Sequence, residues 1–309
     1  MTGLVSKISS LIGISTSSCR VIARGAYRRY KIFNIPKKNG DRRVVAQPAR
    51  EVKAVQRAIC HLLSKEIEIH QAATAYKPGS SILRNADIHK GAKYLTKLDF
   101  SDFFSSIDEE SIVHLLQEKC THLSVSELKF IVDACTWRPT GKPVLCIGAP
   151  SSPFFANAVM FEFDEKVSVL ARFLNARYTR YSDDIAISSS DPDVLSELEN
   201  GIRQLVEKSR LPTVKFNEKK RIAVSRSTSM TVTGLTLTNQ GGVSVGRERK
   251  RGVRAGVFRF LSGQLNDIEA ERLKGEIAFV LSIEPSFRGV LINTYGMRAW
   301  SLLPKIRQD

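Results

Sequence analysis

Strand-like and helix-like segments alternate between residues 94 and 216, and this order most strongly limits what the chain can fold into. The segment GAKYLTKLDFSDFFSSI begins as a strand, with Leu95 and Leu98 before Asp99. A helix-like segment, the hairpin-like ARYTRYSDDIAISSS at 176–190, a second helix-like segment and the short TVKF strand follow. Strand, helix, hairpin, helix and strand in this order predict an α+β fold with helices on one face of the sheet.

Helix signals are clear in the segments around these strands. Ser124 and Glu127 have capping-box spacing and predict a helix in SVSELKFIVDACTW. One long helix is predicted to start at Pro153, and Pro192 is expected in the first turn of another. From about residue 247 the chain is basic and predicted to be mostly helical. EVKAVQRAICHLLSKEI spaces apolar residues as one helix face, namely Val52, Val55, Ile59, Leu62 and Leu63.

Basic side chains are concentrated in two segments of the chain. Lys and Arg outnumber Asp and Glu by 47 to 31, which gives a net charge of +16. Residues 1–60 hold 13 basic and 2 acidic side chains, and residues 215–259 hold 11 and 2. Residues 61–214 are slightly acidic. Basic flanks around an acidic centre favour binding of a polyanion such as nucleic acid.

The sequence does not indicate a membrane protein, a secreted protein or a zinc- or disulfide-stabilised protein. No apolar run approaches the ~18–20 residues of a membrane span, and MTGLVSKISSLIGIS is too weakly apolar for a signal peptide. The five scattered cysteines form no CxxC pair. They favour buried, reduced thiols in a cytoplasmic protein over a zinc site or a disulfide framework.

Three aspartates can meet at one end of the predicted sheet. Asp99 follows a strand, and Asp183 and Asp184 occupy a hairpin tip. A solvated turn is the alternative, because Ser and Asp are common turn residues. If the two strands are neighbours, three carboxylates converge, and their repulsion requires cations. Mg²⁺ prefers oxygen ligands and bridges phosphates, and paired metals recur in displacement at phosphorus, so two Mg²⁺ ions are predicted.

Seven sequence boxes resemble those of reverse transcriptases, and they follow the family order from about residue 28 to 246. YSDD resembles the Tyr-x-Asp-Asp box, LDFSDFF the first aspartate motif, and GAPSSPFFAN the segment that supports nucleotide and template. IPKKNGDRRVVAQPAREVKAVQ is similar to the fingers strand pair and VKFNEKK to the lysine motif. NADIH and VTG resemble marker boxes of retron reverse transcriptases.

The resemblance implies a right-hand polymerase fold without a ribonuclease H domain. Its palm would hold an antiparallel sheet that carries the catalytic carboxylates. Residues 1–93 would form an N-terminal segment and the fingers, 94–246 the palm with interleaved fingers elements, and 247–309 a helical thumb.

The resemblance also implies roles for individual residues near the acids. Asp99, Asp183 and Asp184 match the metal-binding triad, with the Phe100 carbonyl as an extra ligand, two Mg²⁺ ions as cofactor and Mn²⁺ as an alternative ion. Lys220 matches the lysine that protonates leaving pyrophosphate, with Lys219 as the adjacent alternative.

Another group of residues matches the nucleotide-binding positions of the family. Phe104 corresponds to the aromatic gate against ribonucleotides, with a core phenylalanine as the alternative. Ile147 stands where the family usually has Gln, so one polar contact to substrate or template is lost. For the basic positions, a solvated hairpin is the alternative. The nucleotide-binding set is Lys38, Arg43, Asp102, Phe103, Phe104, Ile147 and Gly148.

RNA-binding positions are implied by the marker boxes and the basic C-terminal helix. Asn85 and His89 could instead cap a loop, and Gly234 could serve a tight backbone approach. The RNA-binding set is Asn85, His89, Val232, Thr233, Gly234, Arg249, Lys250, Arg251 and Arg254.

The implied function is RNA-directed DNA polymerisation from dNTPs. The retron resemblance implies a structured noncoding RNA as template and primer, single-stranded DNA joined to it as a branched product, and anti-phage defence with a separate effector protein. A group II intron-like reverse transcriptase and a non-catalytic polymerase-fold scaffold that binds RNA and an effector remain the alternatives.

Overall fold

An antiparallel hairpin separates the first two helices of the chain from the third. These elements are α1 (Leu4–Ile12), α2 (Thr16–Arg24), β1 (Tyr30–Pro36), β2 (Arg42–Pro48) and α3 (Arg50–Leu63). The predicted apolar face of α3 is confirmed for Val52, Val55, Ile59 and Leu63, which are buried, whereas Leu62 is only half-buried. The computed structural model describes residues 3–36, 40 and 42–304.

The acids lie on a sheet in the middle of the chain. The next elements are α4 (Ile82–Ile88), β3 (Tyr94–Ser101), α5 (Glu109–Lys119), α6 (Val125–Cys135), α7 (Ser152–Val159), α8 (Phe161–Phe173), β4 (Arg177–Tyr181), β5 (Asp184–Ser189), α9 (Pro192–Lys208) and β6 (Lys215–Phe216). Strands β4, β5, β3 and β6 are neighbours in that order. Helix α8 packs against β4, and α9 packs against β5. The predicted adjacency of the two aspartate-bearing strands is therefore confirmed.

Two helix predictions have different outcomes. The Ser124–Glu127 capping box is present, with the Ser124 N–H donating to Glu127 Oε2 at 3.0 Å. The single long helix predicted from Pro153 is wrong, because α7 ends and α8 begins on either side of Met160. Met160 is fully buried, and its ψ of 4° departs from helical geometry. The backbone at this residue therefore separates two helices.

Short strands and helices form the remainder of the described chain. They are β7 (Ile222–Ser225), β8 (Thr231–Val232), β9 (Leu235–Leu237), β10 (Val243–Ser244), α10 (Arg247–Leu261), α11 (Asp267–Ile283) and α12 (Phe287–Tyr295), followed by a 3₁₀ turn. Strands β10, β9 and β8 form a small sheet. Helices α10 and α11 pack closely, because a Cβ on Gly256 would lie 2.6 Å from Leu273 Cδ1.

The chain divides into two compact units with interleaved segments. Unit 1 comprises residues 1–80 and 96–223, and unit 2 comprises residues 81–95 and 224–309. The small sheet of β8–β10 thus groups with the C-terminal helices rather than with the sheet that carries the acids. The division into fingers, palm and thumb at 93/94 and 246/247 stays a prediction. Within the described residues, no helix has the length and apolar character that crossing a bilayer requires.

Candidate active site

The Ser-Asp-Asp sequence forms a tight turn between β4 and β5. Tyr181 pairs with Asp184, which leaves Ser182 and Asp183 as the connecting residues. Ser182 has a φ of 62°, in the left-handed region. This conformation costs a residue with a side chain about 1–2 kcal/mol. The turn is therefore strained at the residue that precedes the two acids.

Backbone hydrogen bonds bring the tip beside Asp99. The Phe100 N–H donates to the Asp183 carbonyl at 3.1 Å, and the Asn217 N–H donates to the Asp99 carbonyl at 2.7 Å. Phe100 therefore contacts the tip through its backbone, while its ring is buried. Strand β3 is held between the aspartate tip and the segment that carries Lys220.

Lys220 is the basic side chain that contacts the acids. Its Nζ lies 2.7 Å and 2.9 Å from the two carboxylate oxygens of Asp99. Lys219 is exposed. The geometry therefore favours Lys220 over Lys219, which the sequence could not separate.

Burial and repulsion between the carboxylates raise the pKa values of two of the acids. Burial and the Asp99 carboxylate raise the pKa of Asp183, against opposing hydrogen bonds and Lys220. Burial, Asp183 and Asp99 together raise the pKa of Asp184 to about 7. The Asp184 side chain keeps some solvent exposure, but its neighbours on the protein side are mostly acids. One lysine therefore does not neutralise the cluster.

The turn that carries Lys220 is anchored to helix α9. Arg221 donates to both carboxylate oxygens of Glu199, at 2.7 Å and 2.8 Å. Arg203 bridges Glu199 at 2.9 Å and Glu218 at 2.6 Å. These ion pairs hold the 218–221 turn against the helix, so the position of Lys220 depends on Glu199.

A cavity of about 350 Å³ contains three of the predicted nucleotide-binding residues, Phe104, Ile147 and Gly148. Lys53, Arg57 and Tyr76 also line it and were not predicted from the sequence. Lys53 and Arg57 are four residues apart on α3, so one helix turn brings both cations to this wall.

Gly148 is required by close packing as well as by its backbone conformation. Its φ is 113°, and a Cβ there would lie 2.7 Å from the Ala46 carbonyl oxygen. The Ala46 N–H donates to the Ile147 carbonyl at 2.8 Å. Strand β2 is thus joined directly to the wall of the cavity.

The other predicted nucleotide-binding residues have different environments. Phe103 is 3% exposed and stacks on Phe100 at 5.6 Å between ring centres, so it lies in the core, and its contact with nucleotide stays a prediction. Asp102 is exposed with a φ of 48°. Arg43 is exposed on β2 opposite Ile35. Lys38 lies outside the described residues.

The two marker boxes meet inside unit 2. Helix α4 packs against β8 and β9, and the Thr233 hydroxyl donates to the Ile82 carbonyl at 3.1 Å. The side chains of Asn85, His89 and Val232 are buried, and RNA contact through them stays a prediction. His89 lies at the C-terminal end of helix α4 rather than at the cap of a loop.

The backbone conformation at Gly234, rather than close packing against a neighbouring backbone, accounts for a glycine at this position. Its φ is 79°, and a Cβ there would have no atom within 4 Å. Thr233, with a φ of 47°, precedes it in the same turn. The turn is open on this side, and its contact with RNA stays a prediction.

The basic residues of α10 fall into two groups. Lys250 pairs with Glu284 at 2.9 Å, and the Arg249 guanidinium lies over the Phe279 ring at 4.7 Å. Arg251 and Arg254 are exposed. The first two are held by contacts within unit 2, and RNA binding by all four residues stays a prediction.

Comparison with known sequences agrees with this arrangement. Residues 35–237 match the family described as Reverse transcriptase (RNA-dependent DNA polymerase). The Retron Ec83 reverse transcriptase of Escherichia coli is 38% identical over 271 residues, covering 86% of this chain and 87% of that protein. The Retron Ec86 reverse transcriptase of Escherichia coli is 26% identical and covers 90% and 83%.

Solved structures with the same fold include telomerases. Telomerase from Candida tropicalis, solved with a fragment of telomeric RNA, has a TM-score of 0.52 at 12% identity and covers 94% of this chain. A truncated apo form from the same species has a TM-score of 0.50 at 13% identity and covers 75%. This chain spans about 59% and 60% of those chains. The likeness shows a shared right-hand polymerase fold.

Proposed function

This chain belongs to the retron-type reverse transcriptases and is an RNA-directed DNA polymerase, and we propose that Asp99, Asp183 and Asp184 carry its catalysis on a structured noncoding RNA. The observation that carries the proposal is the meeting of three carboxylates from β3 and the β4–β5 tip. Their raised pKa values indicate a site that lacks positive charge. A scaffold without catalysis has no need for this electrostatically costly arrangement.

The acid cluster fits divalent cations in its chemistry. Among residues 3–36, 40 and 42–304, no three or more His, Cys, Asp and Glu side chains are arranged as a preformed metal site. The donors are nevertheless hard carboxylate oxygens with unbalanced negative charge, which is what Mg²⁺ or Mn²⁺ prefers. Asp99, Asp183 and Asp184, with the Phe100 carbonyl, would hold two ions. When bound, such ions neutralise charge on the triphosphate and the attacking oxygen.

The surrounding residues supply orientation and proton transfer in this proposal. Lys220 is held beside Asp99, where its ammonium can donate a proton to the leaving pyrophosphate. Phe104 lines the cavity and excludes a ribose 2′-hydroxyl. Arg43 on β2, with Lys53 and Arg57 on α3, provides positive charge for phosphate groups.

The proposed template and primer are one structured noncoding RNA. Family membership supports priming from a 2′-hydroxyl in that RNA, a single-stranded DNA product joined as a branch, and cytoplasmic action in anti-phage defence with a separate effector protein. Arg251 and Arg254 on α10 and the 233–234 turn are the proposed RNA contacts. The reduced state of Cys19, Cys60, Cys120, Cys135 and Cys146 is consistent with the cytoplasm.

The test is to replace Asp183 and Asp184 by Asn and to measure DNA synthesis and RNA binding in parallel. We expect polymerisation to be lost and RNA affinity to stay close to the parent's, because the basic surface is unchanged. The parent should carry DNA that survives protease and shortens with ribonuclease. DNA product from the double variant would contradict the site assignment, and loss of RNA binding would show that the tip is structural.

A further inference from the structure

A fully buried ion pair lies under the catalytic hairpin. Arg180 on β4 and Asp164 on α8 are both 0% exposed. Arg180 Nη2 lies 2.5 Å from Asp164 Oδ2, and its Nε donates to Asp164 Oδ1 at 2.8 Å. Replacing such a pair by apolar residues of similar volume is often neutral or stabilising. Stability alone therefore does not explain the pair.

Two further side chains complete the hydrogen bonds of this pair. The Tyr178 hydroxyl donates to Asp164 Oδ1 at 2.6 Å. Arg180 Nη1 donates to Asn157 Oδ1 at 3.1 Å, and Asn157 Nδ2 in turn donates to the Ala75 carbonyl at 2.9 Å. Helices α7 and α8 thus hold the guanidinium in one orientation from two sides.

The remaining bond of the guanidinium reaches the strained residue of the tip. Arg180 Nη1 donates to the Ser182 carbonyl at 3.0 Å. The Ser182 hydroxyl bonds the Asp183 carboxylate, and the Asp183 carbonyl accepts from the Phe100 N–H. A continuous path of hydrogen bonds therefore runs from Asp164 through the Ser182 turn to β3.

The guanidinium also lies behind the nucleotide cavity. Its Cζ is 5.9 Å from the centre of the Phe103 ring, and Phe103 contacts Phe104 at 5.7 Å between ring centres. Phe104 lines the cavity. One buried charge is therefore adjacent both to the aspartate tip and to the ring that supports the proposed sugar gate.

We propose that Arg180, oriented by Asp164 and Asn157, is a positioning residue that holds Ser182 in its left-handed conformation and thereby sets the place of Asp183 and Asp184. The reasoning is energetic: a strained backbone conformation persists only where the surroundings determine it. Without the bond to its carbonyl, Ser182 relaxes toward negative φ, and the two carboxylates move away from Asp99. This inference rests on the proposed catalytic role of the tip.

The experiment replaces the pair with apolar residues, because removing one partner would leave an unpaired buried charge. The Asp164→Leu/Arg180→Met double variant keeps a packed interior but loses the bond to Ser182. Tyr178→Phe is the matched control, since it removes a bond to Asp164 and leaves Ser182 held. Melting temperature, RNA affinity, the single-turnover extension rate constant, the dNTP dissociation constant and Mn²⁺ binding followed by electron paramagnetic resonance are measured on the full chain.

We expect the double variant to fold and bind RNA as tightly as the parent but to melt at a lower temperature, because the Tyr178 hydroxyl, Asn157 Oδ1 and the Ser182 carbonyl each lose a buried partner. Its extension rate constant should fall at least tenfold with weaker Mn²⁺ binding, and Tyr178→Phe should stay within about twofold. Adding Ser182→Gly to the double variant should raise the rate about tenfold above that of the double variant, to near the rate of Ser182→Gly alone, because glycine adopts positive φ without strain. A merely structural role of the pair would show no such rescue.

Two results would overturn the inference. One is a folded double variant that extends at the parental rate, and the other is a rate loss that Ser182→Gly does not restore. If the double variant fails to fold, Arg180→Lys answers the same question, because it keeps a charge for Asp164 but cannot match the planar fork. An Asp183→Asn variant is measured alongside to distinguish failure of this inference from failure of the proposed active site. Parental activity in that variant would refute the active-site assignment itself.

Discussion

Replacing Gly148 by alanine tests whether the cavity wall depends on close contact with β2. The added Cβ would lie 2.7 Å from the Ala46 carbonyl oxygen and 3.0 Å from Val45 Cγ1. Neither contact can relax through a flexible side-chain end, because one atom is backbone and the other belongs to a buried branched residue. The strand itself has to shift, and the shift moves the segment that carries Arg43.

The magnitude follows from two separate costs. A left-handed φ costs an alanine about 1–2 kcal/mol, and overpacking adds about 1–3 kcal/mol. Gly141 isolates the first cost, because its φ is 87° and a Cβ there would have no atom within 4 Å. Gly148→Ala should therefore lose about 2 kcal/mol more than Gly141→Ala, or about 4–8 °C for a unit of about 200 residues.

The assay is thermal unfolding of the parent and both variants, together with the KM for dNTP on a fixed primer–template. We expect the KM to rise for Gly148→Ala and to stay unchanged for Gly141→Ala, since only the former displaces the cavity wall. Equal melting temperatures for the two variants would refute the close-contact reasoning. A lower melting temperature with an unchanged KM would show that the wall does not contact the nucleotide.

Three other perturbations have defined outcomes. Phe104→Ala should raise ribonucleotide incorporation by about two decades in single-nucleotide extension, because it removes a steric clash and a desolvation cost of about 1–3 kcal/mol. The control Phe103→Ala should instead lower the melting temperature, because it removes a core ring. An unchanged sugar preference in Phe104→Ala would place the gate elsewhere. Arg251→Gln should flatten the dependence of the logarithm of the RNA-binding constant on the logarithm of salt concentration by about one phosphate contact. Lys250→Gln should instead lower the melting temperature, because it removes the ion pair with Glu284. Equal salt slopes for the two variants would contradict this difference between the residues. The raised pKa values mean that Asp183 and Asp184 hold more protons in the folded than in the unfolded chain, for Asp184 up to about pH 7. In EDTA their contribution to stability should therefore fall as pH rises from about 4 to 7. The melting temperature of the parent should accordingly decline relative to that of Asp184→Asn over this range, and a constant difference between the two proteins would contradict the reasoning.

Local sequence signals predicted most elements of the fold. The apolar spacing in α3, the Ser124–Glu127 box before α6 and Pro192 at the start of α9 each predicted a helix that the structure contains. These signals succeed because they concern contacts within one or two helical turns. The long helix from Pro153 was wrong because the backbone departs from helical geometry at Met160, where the sequence carries no helix-breaking residue.

The sequence predicted those site residues whose type and spacing along the chain are enough to identify them. Adjacent acids at a turn and a strand aspartate are visible in the sequence, and so is a lysine five residues after β6 begins. The sequence could not separate Lys220 from Lys219, or exposed Arg251 from Lys250, which is paired with Glu284. Each of these choices depends on a partner that tertiary folding supplies.

The sequence by itself determined the order of strands and helices, the strand-turn-strand geometry at Ser182–Asp183 and the excess of basic charge. Only the tertiary structure decided which side chains meet: the β5–β3 pairing that joins Asp183 to Asp99, the cavity wall from Lys53 and Arg57, and the Asp164–Arg180 pair beneath the tip. The physical reason is range. Backbone preference and periodicity act over a few residues, whereas burial and ion pairing depend on neighbours that folding brings together.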